Sequence, residues 1–461
     1  MPVHIRAALV LAALLASSAA HAQEPLDQRY RADANRLIQA ALADSFAYNR
    51  LATMVDRFGN RLSGSESLER TIDWVLDEMR RDGLQNVRGE PVMVPHWVRG
   101  DESAELISPR ALPLHMIGLG MSVGTPPGGI TADVLVVTSF ADLAAHAAEA
   151  RGKIVLFDVP FTSYRETVAY RGGGASAAAK VGAVAALIRS VASASMQNPH
   201  TGSLRYDTTV ARIPAAALSV EDAMMLHRIQ SRGERVRVHL SMNARLLPEA
   251  QSRNVVAEIV GSERPDEVVV LGGHIDSWDV GTGAMDDGGG VVAAWEAVRL
   301  MQRLGLHPRR TVRVVAWTNE ENGTRGGRGY LAAHRDQVGR HMLAMESDNG
   351  VFKPFGFRFQ GSDSALAVMR QVARLLEPIG AGKMEKGDGE ADVGPLIAAG
   401  VPGLGLDVDG TRYFHYHHSS ADTMDKLDPR DMAECVAAMA VMAYVVADMP
   451  GTLVRETPRE R

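Results

Sequence analysis

Val268-Val269-Val270-Leu271-Gly272-Gly273-His274-Ile275-Asp276 is the stretch on which the fold turns. Four apolar residues in a row, without polar alternation, suit a strand buried on both faces, as in a parallel sheet packed between helices. The glycine pair ends the run, and a histidine and an aspartate follow at once. The order recurs further along the chain. Val314-Val315-Ala316-Trp317 leads into Thr318-Asn319-Glu320-Glu321-Asn322-Gly323, and Met342-Leu343-Ala344-Met345 leads into Glu346-Ser347-Asp348. Leu404-Gly405-Leu406 leads, after a loop, into Tyr416-His417-His418-Ser419-Ser420-Ala421-Asp422-Thr423. A further acidic pair stands in Gly283-Ala284-Met285-Asp286-Asp287-Gly288-Gly289-Gly290.

Outward from this core the pattern predicts strands at Asn254 to Val260, Glu267 to Leu271, Thr311 to Thr318 and His341 to Glu346. Helices are predicted at Gly289 to Gln302 and near 327 to 335. Alternating strands and helices imply an α/β fold, a mostly parallel mixed sheet flanked by helices on both faces. Functional groups in such sheets gather beyond the carboxyl ends of the strands. Glu320 and Glu321 share a site only if the backbone leaves strand geometry there, because neighbours on a strand point to opposite faces.

Residues 26 to 58 read as helical, and Leu68, Ile72, Val75, Leu76 and Met79 fall on one face of a helix that precedes a strand at Asn86 to Val94. Near Leu112 the texture changes. Gly and Pro become frequent from Gly118 to Gly129, and short apolar runs follow at Asp133 to Thr138, Lys153 to Phe157 and Ala183 to Ile188, closed by Arg235 to Met242. The expected organisation is one domain from 23–111 and 246–461, interrupted by a separate domain at 112–245. In the second, His115, His146, His200, His227 and His239 are scattered without ligand spacing, so it is expected to shape access and carry no catalytic group.

The first 22 residues read as a secretory signal: Arg6, an apolar run from Ala7 to Ala16, and Ala20-His21-Ala22 as the cleavage site, leaving Gln23 first. That run is shorter than a bilayer span, and Cys435 to Ala447 is better read as a buried helix. An exported protein, periplasmic or secreted, with Cys435 as its one cysteine has no internal disulfide. Lys plus Arg is 49 against 55 Asp plus Glu, a net charge of −6 over 461 residues, which argues against nucleic acid or an anionic membrane as partner. No membrane span is expected after cleavage.

Singly, each polar cluster has a plain structural explanation as a turn or a solvated face. Together, five such sites following strand ends in one α/β domain supply a nitrogen and oxygen donor set matching what zinc takes. The region resembles the zinc exopeptidases of the aminopeptidase and glutamate carboxypeptidase family, and the resemblance covers nearly the whole mature chain, including an insert like a protease-associated domain. It implies metal ligands His274, Asp286, Glu321, Asp348 and His418, two Zn²⁺ per chain, Glu320 as general base, and Asp276 orienting His274. It further implies a cis bond between Asp286 and Asp287, a peptide substrate and a homodimer. His417 stands where some relatives have a tyrosine, which suggests an oxyanion or substrate contact. The chemistry asks for the same set, with Asp286 bridging the ions, His274 and Asp348 on one, and Glu321 and His418 on the other.

The activity implied is hydrolysis of dipeptides or short peptides by a metal-bridged hydroxide, as a carboxypeptidase or dipeptidase. Aminopeptidase action on longer peptides is the alternative, and a one-zinc glutaminyl cyclase-like enzyme or a non-catalytic relative comes further behind. Which of His415, His417 and His418 is the ligand stays open, with the spacing to Asp422-Thr423 favouring His418. Asp279, Asp287 and the Arg325 to Arg328 loop have no assigned role, and Gly387 to Asp392 only resembles the family's loop.

Overall fold

The computed structural model describes residues 24–43, 45–387 and 391–456. The expected signal, residues 1–22, lies outside them. The run Val268 to Leu271 falls in the strand Arg264–His274, which pairs in parallel with Arg310–Trp317 on one side and His341–Glu346 on the other. Gly403–Val408 continues the parallel set. Antiparallel strands flank it: Arg245–Ile259 and then Gln85–Val98 beyond Arg310–Trp317, and Pro354–Gln360 beyond Gly403–Val408. Lys383–Lys386 completes an eight-stranded mixed sheet.

Alternation along the central strands explains why both faces are covered. Val269 and Leu271 enter a large core with Leu51, Ile72, Trp295 and Met439, whereas Val268 and Val270 enter a smaller one with Tyr330 and Leu396. The helix Glu66–Arg81 buries Leu68, Ile72, Val75, Leu76 and Met79, and the hydroxyl of Ser65 accepts the Leu68 N–H at 3.2 Å to cap it. Cys435 lies in the helix Pro429–Asp448, buried along almost its whole length against that core. Among the described residues no helix is long and apolar enough to cross a membrane.

A second eight-stranded sheet lies between Glu102 and Met242, with an apolar core on each of its two faces. It begins ahead of residue 112, because Glu102–Ser108 pairs with Arg237–Met242, so the chain enters and leaves by neighbouring strands. Nothing in the composition of Glu102–Ser108 marks which sheet it joins. Leu62, Trp97, Ala244 and Trp278 pack together at the seam, where Arg99 also pairs with Asp279 at 2.5 Å. That pair gives Asp279 a tethering role.

Candidate active site

His274 is the last residue of its strand and is fully buried. Its Nδ1 lies 3.0 Å from the backbone carbonyl of Asp276. A carbonyl only accepts, so Nδ1 donates to it and Nε2 is the nitrogen left to face the carboxylates. Nε2 lies 3.1 Å from Asp286 Oδ1 and 3.2 Å from Asp348 Oδ1.

Asp286 joins two groups of donors. The Asp286–Asp287 bond is cis, as the resemblance implies, and Asp422 accepts the N–H groups of Met285 at 2.7 Å and Asp286 at 3.2 Å. Asp286 Oδ2 is buried without a hydrogen bond. It faces the Nε2 atoms of His418 at 3.3 Å and His417 at 3.6 Å. His418 Nε2 also lies 2.9 Å from Glu321 Oε2, while Glu321 Oε1 accepts the Trp278 N–H at 3.2 Å. One carboxylate thus presents its two oxygens to two separate pairs, His274 with Asp348 and His418 with Glu321.

The two glutamates reach the site because the strand Arg310–Trp317 stops before them and Asn319 turns the chain with φ +65°. The Asp276 carboxylate holds this turn, accepting from Glu320 N at 3.0 Å, Glu321 N at 3.4 Å and the Ser63 hydroxyl at 3.2 Å. Asp276 meets His274 through its backbone carbonyl, with its carboxylate 3.7 Å away and engaged by the backbone N–H groups of the glutamate turn.

Asp287 serves the backbone as well: Oδ2 accepts the His274 N–H at 2.9 Å and Oδ1 the Gly290 N–H at 3.1 Å, at the start of the helix Gly289–Arg303. His417 stacks on His418 with ring centres 3.5 Å apart, so both sit at the same wall, but only His418 also meets Glu321. His415 packs edge-on against Tyr416 and does not line the cavity. Arg325 bonds the Met93 carbonyl at 3.0 Å and pairs with Glu249 at 2.7 Å, while Arg328 bonds the Gly323 carbonyl. The basic loop therefore braces the outer strands.

Asp286, Glu321, Asp348, His417 and His418 line a cavity of about 460 Å³ together with Glu320, Asn349, Tyr413 and Phe414. That volume falls within the ~300–1,000 Å³ typical of small-ligand sites. Two further lining residues, Tyr164 and Arg171, come from the helix Tyr164–Lys180 of the second sheet's unit. Sequence reading missed both, since no spacing links them to the strand ends more than 100 residues away. The only local hint is Gly172-Gly173-Gly174, three poor helix formers next to Arg171.

The electrostatics call for cations. Burial pushes Glu320 well above the usual carboxylate range, with Asp348, Asp392 and Asp276 adding to it against His274. Burial does the same to Glu321, helped by Asp286, and raises Asp392 to about 8. Burial also opposes ionisation of Asp286, yet the imidazoles of His274, His418 and His417 beside it hold it well below that range. A buried set of carboxylates and imidazole nitrogens turned toward one another is stable when it coordinates metal. Among the described residues, two groups have the spacing to hold an ion: Asp286 with His417 and His418, and His274 with Asp287 and Asp348. The residues fit a metal pair.

Comparison with known proteins agrees with the resemblance. The model of peptidase family M28 matches residues 254–443. Carboxypeptidase Q of Mus musculus is 50% identical over 409 residues, covering 89% of this chain and 87% of that protein. The crystal structure of a peptidase M28 precursor from Shewanella amazonensis SB2B superposes with a TM-score of 0.91 at 36% identity, over 94% of this chain and 100% of that one. A zinc aminopeptidase from Bacillus subtilis shares the fold at a TM-score of 0.67 and 18% identity, over 88% of this chain and 96% of that one. With half its residues shared across almost the full length of a relative, the chain belongs to peptidase family M28.

Proposed function

We propose that this metallopeptidase is a di-zinc exopeptidase that hydrolyses dipeptides or short peptides. The observation that carries the reading is Asp286, whose two oxygens face His274 at 3.1 Å and His418 at 3.3 Å. His274, Asp286 and Asp348 would hold one Zn²⁺, and His418, Glu321 and the shared Asp286 the other. Two zinc ions supply Lewis-acid activation of water and of the scissile carbonyl.

The chain's own residues do the rest. Glu320 accepts a proton from the attacking water and delivers it to the leaving amine, a contribution of roughly 10²- to 10⁴-fold. The Asp276 carboxylate keeps Glu320 and Glu321 in one turn, 3.0 Å and 3.4 Å from their N–H groups. His417, at the same wall, serves as an oxyanion or substrate contact. The unit at 112–245 closes one side of the cavity and so limits substrate length. Relatives named carboxypeptidase Q support cleavage at the carboxyl end.

The reading also includes export through residues 1–22 and assembly as a homodimer. Terminal sequencing of exported protein should find Gln23 first, and light scattering should give twice the chain mass. The main test combines metal analysis with a peptide panel. Two zinc per chain and hydrolysis of dipeptides, lost on chelation and restored by Zn²⁺, support the reading. Full turnover by metal-free protein overturns it.

A further inference from the structure

The two donor pairs that share Asp286 are held by different parts of the molecule. His274 is fixed by the Asp276 carbonyl and the Asp287 carboxylate, and Asp286 by the Asp422 carboxylate, all within the first sheet's unit. Among the described residues no hydrogen bond from the second sheet's unit reaches His274, Asp286 or Asp348. His418 and Glu321 differ, because each rests on that second unit. The His418 carbonyl accepts the Thr201 N–H at 2.8 Å. Trp278, whose N–H donates to Glu321 Oε1 at 3.2 Å, lays its indole against Gly120 so closely that a Cβ there would overlap the ring. The same indole meets the His418 ring edge-on, with centres 5.6 Å apart.

The Thr201 contact falls where His418 needs it. His418 has φ +58°, a left-handed conformation that a residue with a side chain adopts at a cost and keeps only where its surroundings fix it. On either side of it, the Ser193 N–H donates to the Phe414 carbonyl at 3.2 Å and Asn198 Nδ2 to the Ser419 hydroxyl at 2.7 Å. Residues 193–201 thus lie along residues 414–419. Thr201 is itself anchored. It is fully buried, and its hydroxyl donates to the Gly118 carbonyl at 2.8 Å and accepts from Arg99 Nη2 at 3.3 Å. The Gly120 N–H donates to the Gly202 carbonyl and the Leu204 N–H to the Gly120 carbonyl, both at 3.0 Å. Residues 118–120 and 201–204 therefore form one hydrogen-bonded piece, and that piece supports both His418 and Glu321.

We propose that the second sheet's unit governs one metal position and not the other. Thr201 and Asn198 act as positioning residues for His418, so the seating of residues 193–201 sets how tightly the Zn²⁺ assigned to His418 and Glu321 is kept. The Zn²⁺ assigned to His274 and Asp348 does not depend on them. Because coupling between two equilibria is reciprocal, the same ion in turn steadies residues 193–201.

This inference rests on the di-zinc reading, and the test separates the two. The wild-type, zinc-loaded enzyme is titrated with a chelator while bound zinc is counted and amide hydrogen exchange is followed. One zinc should leave before the other. Its loss should speed exchange at the Ser193 and Thr201 amides by roughly 10-fold or more, with the strand Ala185–Arg189 unchanged as internal control. Thr201→Val keeps the shape of the side chain and removes its hydroxyl. It should weaken one zinc by roughly 10- to 100-fold, the scale for groups that orient metal ligands, and leave the other at its wild-type affinity. Asn198→Ala should weaken the same zinc by less, and Thr201→Ser, which restores the hydroxyl, should bind both as wild type does. Wild-type affinity for both ions in Thr201→Val and Asn198→Ala overturns the inference while leaving the exopeptidase reading in place. Equal weakening of both ions overturns it too, as a purely structural role. If Thr201→Val does not fold, the wild-type exchange decides: amides of residues 193–201 that stay equally protected after the first zinc has left overturn it. Absence of zinc and of any dipeptide hydrolysis overturns both.

Discussion

Two histidines on neighbouring strands of the first sheet, His274 and His341, are both fully buried, yet their surroundings are opposite. His341 opens its strand, at the amino end. Its Nε2 lies 2.9 Å from the Tyr330 hydroxyl and its Nδ1 3.0 Å from the Gln337 carbonyl, and burial lowers its pKa to about 4. His274 closes its strand, at the carboxyl end. Burial again opposes the charged form, but Asp348, Asp276 and Asp286 outweigh it and hold the imidazole well above its usual value. One histidine is satisfied by neutral partners and packed. The other keeps a nitrogen aimed at carboxylates that gain from a shared cation. Burial alone therefore does not separate a structural histidine from a candidate metal ligand, whereas the charge facing the second nitrogen does.

The comparison breaks most visibly at Asp286. Asp286→Asn removes the one charge that both donor pairs share, so activity should drop to the assay background and zinc should fall below two per chain by elemental analysis. Retention of two zinc would show that the pairs do not depend on a common carboxylate. Glu320→Gln comes next. It leaves the five donors in place, so zinc should stay near two while kcat falls about 10²- to 10⁴-fold, measured with a saturating dipeptide. A near-normal kcat would remove Glu320 from the proton path.

Asp276→Asn should act more gently, since the His274 contact runs through the backbone carbonyl and survives the change. Only the acceptor for Glu320 N and Glu321 N is weakened, and a loss of about 10- to 100-fold in kcat/KM is expected, the scale for partners that orient metal ligands. If the loss came with a shift in the His274 imidazole resonances and not in the glutamate turn, the carboxylate would be acting on His274 after all.

Why one end of the sheet was legible and the other parts were not follows from the same contrast. At the carboxyl ends, an unbroken apolar run followed at once by His or an acid marks both the strand and the donor. His341–Glu346 was accordingly readable from its first residue to its last, and Glu320 and Glu321 were readable as a pair that had to leave strand geometry. The role of Asp276 was not, because sequence cannot tell whether a residue reaches its neighbour by carbonyl or carboxylate. Tyr164 and Arg171 were invisible for another reason. They reach the cavity only because a second sheet packs over the first, a juxtaposition that leaves no periodic trace. Glu102–Ser108 likewise joins that sheet through backbone pairing, which any sequence can supply.

The smallest effect expected is on stability, at the amino end. A histidine held at about 4 in the fold, against about 6.5 in the unfolded chain, leaves the unfolded state binding more protons between those values. Its contribution is therefore fully present above pH 6.5 and is lost as the pH falls toward 4, by about 3 kcal/mol at most. His341→Gln keeps a donor and an acceptor for Tyr330 and Gln337 but cannot titrate. Its melting temperature should lie below wild type at pH 7.5 and approach it by pH 4.5, with zinc content equal at the higher pH. Because acid would also release metal held by His274 and His418 under the proposed function, both proteins must be compared at each pH, and the narrowing gap is the measurement that isolates His341. A gap that stays constant with pH would mean that His341 is not the neutral buried histidine its two partners make it, and the contrast with His274 would then rest on geometry alone.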